Sequence, residues 1–141
     1  MRRISAFLMI AAMVAVLVPS AALGARPEKP PPGINQITAV SLDGTCEIEV
    51  IASWEGRAFE VQIEQLRNGF TVNAERPLAN NKLGRVSVKF PAPDLATAAY
   101  TWSAVALDRK GNEIGIKRVT RIDDWEGSGC PPHSTVVASV Y

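Results

Sequence analysis

Soft metal ligands are almost missing from this 141-residue chain, which holds one histidine and two cysteines. A structural zinc site needs four such ligands, so that class is excluded. Charge of one sign is not in excess either: 15 Lys plus Arg stand against 14 Asp plus Glu, a net charge of +1. Nucleic-acid binding calls for a clustered basic face, and the sequence carries none. No Gly-rich loop follows a candidate strand, which leaves nucleotide binding without support. Aromatics are scarce at 6%, yet hydrophobic residues reach 47% against 21% charged. That balance packs a globular core rather than leaving the chain disordered. The length allows one domain.

What is present begins with an export signal. Arg2 and Arg3 precede an apolar run from Ala6 to Val18, and Pro19-Ser20-Ala21-Ala22-Leu23-Gly24-Ala25 follows, with Ala22 and Gly24 as the small residues of a cleavage site. A basic start, a short apolar stretch and a small-residue cleavage region are the parts of a secretory leader. The expected cut lies after Gly24, giving a signal peptide over 1–24. The alternative is an uncleaved membrane anchor, but the uninterrupted run is shorter than the roughly 20 residues a span needs. Loss of the leader takes the net charge from +1 to −1. Export also gives the cysteines a meaning: Cys46 and Cys130 are an even pair in an oxidising compartment, where an intramolecular disulfide is the expectation. Intermolecular pairing and free thiols are the alternatives.

Residues 25–33 read Ala-Arg-Pro-Glu-Lys-Pro-Pro-Pro-Gly, a stiff extended spacer. From Ile34 onward the period is two. Ile48, Val50, Ala52 and Trp54 share one face of a run begun by Cys46; Phe59, Val61 and Ile63 share another. Val86, Val88 and Phe90 alternate with Arg85, Ser87 and Lys89, while Tyr100, Trp102, Ala104 and Ala106 alternate with Thr101 and Ser103. One buried and one wet face is what antiparallel strands present. Asp43-Gly44, Glu55-Gly56, Asn68-Gly69, Asn80-Asn81 and Lys110-Gly111-Asn112 supply turn chemistry between the runs. The pattern predicts an all-β, seven-stranded antiparallel β-sandwich over residues 34–130, with strands near 36–42, 46–54, 58–67, 70–75, 84–90, 99–107 and 113–122. Residues 131–141, after the breaker Pro131-Pro132, form either an added edge strand or a loose tail.

The run Tyr100-Thr101-Trp102-Ser103-Ala104-Val105-Ala106-Leu107-Asp108, followed by Gly111-Asn112, resembles the penultimate strand of fibronectin type III and related immunoglobulin-like domains. Ile48 to Trp54, ending in tryptophan before a turn, resembles that family's second strand with its core tryptophan. The resemblance implies a buried tyrosine corner at Tyr100, with Leu95 upstream. It also implies that the second strand starts, and the seventh ends, at one pole. A bridge from Cys46 to Cys130 would then pin the tail to the base of the domain.

Catalytic constellations are not in view. The single imidazole, His133, sits beside Ser134 after the proline breaker, and adjacent side chains do not make a dyad. Glu47, Glu49, Glu60 and Glu64 fall on wet faces, where two-carboxylate hydrolysis would need a cleft. Asp123, Asp124 and Glu126 fall short of the six or more oxygens of a calcium site. No catalytic residue, metal or cofactor is therefore expected. Trp54 and Trp102 belong to the core. Trp125, among acids and glycines, either covers the base of the sandwich or meets a ligand.

The sequence points to a secreted, non-catalytic β-sandwich domain, extracellular, periplasmic or in the cell envelope, that binds another protein or a cell-surface component. The surfaces expected to meet a partner are loops at one pole, Trp54–Phe59 and Leu107–Glu113, or an exposed strand edge that adds a partner strand. Arg57, Arg109 and Lys110 would bring positive charge to those two loops, which meet at one pole, with Trp125 as a further contact. A structural or envelope-associated subunit and a carbohydrate-binding module centred on Trp125 are the alternatives. Nucleic acid is not expected, and a membrane only if the leader stays attached.

Overall fold

The computed structural model describes residues 26–42, 45–95, 97–121 and 135–137. The leader and its cut after Gly24 lie outside these residues. So do Trp125, Cys130, His133 and the acidic group Asp123, Asp124 and Glu126.

Alternation along the chain becomes two antiparallel sheets. The strands are β1 (Gly33–Ser41), β2 (Glu47–Glu55), β3 (Glu60–Arg67), β4 (Phe70–Glu75), β5 (Arg85–Pro91), β6 (Tyr100–Leu107), β7 (Glu113–Arg121) and a short β8 (Thr135–Val137). One sheet runs β5-β2-β1-β8, the other β4-β3-β6-β7. The seven expected strands are present within a few residues of their expected ends. The tail contributes the eighth, pairing antiparallel with β1 from Thr38↔Val137 to Val40↔Thr135.

Between the sheets lie the inward positions of the alternating runs. Ile37, Ile48, Val50, Val61, Ile63 and Trp102 are completely buried, and Trp54 nearly so. Each such side chain contributes about 1.5–3 kcal/mol by leaving water. Gln65 is the polar exception. It is fully buried, and its Nε2 donates to the carbonyl of Pro91 at 3.0 Å while Asn73 Nδ2 donates to its Oε1 at 2.6 Å. The amide thus ties the end of β5 to β3 across the layers.

Along the β1 and β7 side the layers meet backbone to backbone. A Cβ on Gly33 would stand 2.7 Å from the carbonyl oxygen of Ile114, and Gly115 has φ +73. Only glycine permits both the approach and the conformation. Arg118 Nε donates to the carbonyl of Ile34 at 3.1 Å and closes the same seam.

Two positions depart from the simple alternation. Phe59, expected inside with Val61 and Ile63, is 42% exposed, because β3 begins only at Glu60 and the ring turns out with the preceding loop. Ser103, expected on the wet face, is buried together with Val105 and Leu107. β6 is flanked by β3 and β7, and longer neighbours roof its outer face. Ser103 Oγ donates to Glu64 Oε2 at 3.3 Å, Lys117 Nζ to the same oxygen at 3.4 Å, and Gln62 Nε2 to Glu64 Oε1 at 2.9 Å. Polar heads with apolar stems cover small residues in this way.

Candidate binding pole

The connections gather at two ends of the sandwich. At one end lie the turn after Asn68, residues 92–95 and 97–99, Cys46 and the end of β7. At the other lie the β2–β3, β4–β5 and β6–β7 connections, with the start of β1.

The second end is an open cleft of about 710 Å³, lined in part by Arg57, Phe59, Leu78, Asp108, Arg109 and Ile114. Its walls are held from within. Asn81, in the β4–β5 connection, accepts from Trp54 Nε1 at 3.1 Å and from the backbone N–H of Ala58 at 3.0 Å. Its Nδ2 donates to the Ala58 carbonyl at 2.9 Å. One side chain therefore satisfies the indole of a core tryptophan and fixes the loop that carries Arg57.

Asp108 does the same for the β6–β7 turn. Its carboxylate accepts from the backbone N–H groups of Lys110 at 2.7 Å and Asn112 at 2.9 Å, and from Asn112 Nδ2 at 3.0 Å. These donors, the Asn112 side chain first, hold the carboxyl below its ordinary pKa. Gly111 at φ +81 completes the turn. Asp108 is thereby engaged with its own loop, and neither Arg57 nor Arg109 has an ion pair among the described residues.

Arg109 instead stands over the Phe59 ring, 5.8 Å from its centroid. Leu78 beside them is 68% exposed. The site combines two guanidinium groups with an aromatic face and an aliphatic side chain, on loops already fixed. Such an arrangement recognises a carboxylate next to an apolar group, since guanidinium pairs bidentately with carboxylate.

No protein-family model, curated protein or solved structure matches this chain. The site is therefore read from its own geometry.

Of the residues expected to bind a partner, Arg57 and Arg109 come together on one cleft. Lys110 shares the turn with Arg109 but does not line the cleft, and Trp125 lies outside the described residues. Sequence reasoning ended a candidate loop at Phe59 but turned its ring inward, and it missed Leu78 and Asn81 as parts of the site. Asn81 was visible only as half of a turn dipeptide. Leu78 stands in no alternating run, and an isolated leucine between a proline and an alanine was the one available signal.

The opposite end is bound up in itself. Asp94 pairs with Arg67 and accepts from the Tyr100 hydroxyl. Burial first, then the Asp94 hydrogen bond and charge, push the Tyr100 phenol up to about 12. Tyr100 also stacks on Trp102 with ring centroids 6.1 Å apart. Asn68 N–H donates to the Ala99 carbonyl at 2.7 Å, and Asn68 Oδ1 accepts from Ala99 N–H at 3.0 Å. Among the described residues no cysteine is free.

Proposed function

We propose that this protein is an exported, non-catalytic β-sandwich domain of the immunoglobulin-like, fibronectin type III kind, which binds another protein at or outside the cell surface through its open pole. The observation that carries the reading is the pair Arg57 and Arg109, both without ion-pair partners among the described residues, flanking Phe59 and Leu78 on loops braced by Asn81 and Asp108. A preorganised charged and apolar patch loses little freedom on binding.

Three features support the immunoglobulin-like assignment. The fourth strand lies beside the third rather than the fifth, unlike an antibody constant domain. Trp54 closes the second strand inside the core. Tyr100 makes a corner, through the Asp94 carboxylate instead of a backbone group.

A Cys46–Cys130 bridge fits the same picture. Arg121 pairs with Thr101 and Thr135 with Val40, so the described residues that flank 122–134 stand at the pole that carries Cys46.

The test is a crosslinking pulldown from the native extracellular fraction with wild-type protein and with the triple variant Arg57→Ser, Arg109→Ser, Lys110→Ser. The expected result is a partner captured by wild type and lost with the variant. Unchanged capture by the variant removes the open pole from the interface.

A further inference from the structure

Sheets end in edges, and a free edge presents unpaired backbone groups to any strand that can align with it. The three long edge strands among the described residues are not equally defended. β5 carries Arg85 and Lys89 and ends in Pro91. β7 carries Lys117, Arg118 and Arg121, with a register break near Gly115. β4 reads Phe-Thr-Val-Asn-Ala-Glu, with no cation and no proline. Phe70 is 78% and Val72 48% exposed on it.

The hydrogen bonds to β3 fix which groups of this edge are unpaired. Val61 N–H donates to the Pro77 carbonyl at 3.0 Å and Ala79 N–H to the Phe59 carbonyl at 2.9 Å. By antiparallel alternation Asn73, Glu75 and Pro77 turn their backbone groups to β3, so those of Ala74, Arg76 and Leu78 point outward. Pro77 therefore leaves the outer edge unobstructed.

We propose that β4 pairs antiparallel with β4 of a second copy of this chain, about a two-fold axis at Ala74. The charges choose the occupant. Centred on Ala74, the seam sets Glu75 opposite Asn73 and Arg76 opposite Val72, and no like charges meet. Self-pairing of β5 about Ser87 sets Arg85 against Lys89, and self-pairing of β7 about its middle sets Lys117 against itself. Like charges directly opposite are destabilising across strands.

The same register carries Phe70 of one copy to the Leu78 end of the other. The bulge at Val72, where β4 has one residue more than β3, moves that contact by one residue without changing the sign of any charge pair. Phe70 and Leu78 are the two most exposed large apolar side chains among the described residues, and the seam covers both. Isologous contacts of this kind close on themselves as a dimer.

Sedimentation equilibrium of the exported protein tests the seam. The mass expected at high protein concentration is twice that of one chain, and Ala74→Lys, which opposes two lysines at the axis, returns it to one with at least about tenfold weaker association. Because Ala74 is exposed, this variant keeps its β circular dichroism. Ala74→Cys supplies the independent reading: oxidation should yield a covalent dimer on a non-reducing gel that wild type does not form. A monomer at every concentration, a dimer indifferent to Ala74→Lys, or no crosslink through Ala74→Cys overturns the proposal. Ala74 does not line the open cleft, so both variants leave Arg57, Arg109 and Phe59 in place; Leu78 belongs to cleft and seam alike, and in the dimer the cleft meets its partner through the other three.

Discussion

The two poles of this sandwich use the same residue types to opposite ends. At the closed pole Arg67 is paired with Asp94, which also takes the Tyr100 hydroxyl, and the loops hydrogen-bond across to one another. At the open pole Arg57 and Arg109 have no carboxylate partner among the described residues, and Asp108, next to Arg109, is engaged by its own turn. The difference is one of loop economy. At the open pole the loops are braced by neutral or self-contained groups, the Asn81 amide across to Ala58 and the Asp108 carboxylate within its own turn, and the cations take no part in the bracing. Charge that is internally paired holds a fold together; charge that is not can recognise something else.

The cysteine pair gives the largest expected effect on this contrast. Thiol labelling of the unreduced native protein should find no free thiol, and replacing Cys46 and Cys130 with Ala should lower the unfolding free energy by about 4 kcal/mol in the chain-entropy model. Urea denaturation measures the loss. Two labelled thiols in the native protein, or a stability unchanged by the double replacement, would leave the closed pole without its covalent clamp.

Next comes Asp94→Ala, which deprives Arg67 of its partner and leaves the buried Tyr100 hydroxyl without an acceptor. An unsatisfied buried group costs about 1–3 kcal/mol, and that is the expected destabilisation. The phenol reports it independently. With a folded pKa raised to about 12 from 10.0, Tyr100 contributes stability that is complete below pH 10 and is lost as pH rises towards 12. Absorbance titration of the tyrosinate should show the Tyr100 step near 12 rather than 10.0. In the Asp94→Ala variant the Tyr100 step should move down but stay above 10, because burial is the largest cause of its rise. A Tyr100 that titrates normally in wild type would mean that the corner is open.

Strands were legible where one face is dry and one is wetter, which is why β2, β3 and β5 could be read by period two alone. Trp54, Trp102 and Tyr100 fell on the inner face for the same reason. Phe59 was misplaced because alternation cannot tell where a strand stops, and one residue before β3 its side chain turns outward. Ser103 was misplaced because its cover comes from Glu64 and Lys117 on neighbouring strands, a tertiary fact with no local signal. Arg57 and Arg109 could be matched from the sequence because both sit in turns at the same end of a sandwich. Asn81, which braces the first of these turns over 23 residues of sequence, could not.

Smallest in stability, and most telling for the comparison, is the double variant Arg57→Ser, Arg109→Ser. Neither guanidinium has an ion pair to lose among the described residues, and the turn that holds Arg109 is fixed by Asp108, not by the arginine itself. Arg109 gives up its place over Phe59, an exposed cation–π contact worth roughly 0.5–1 kcal/mol. The unfolding free energy should therefore fall by no more than about 1 kcal/mol. Partner capture, by contrast, should be lost. If the double variant were destabilised as much as Asp94→Ala, the arginines would be part of the packing, and the two poles would differ only in how open they look. If stability holds and binding goes, the open pole is cationic because something outside the molecule completes it.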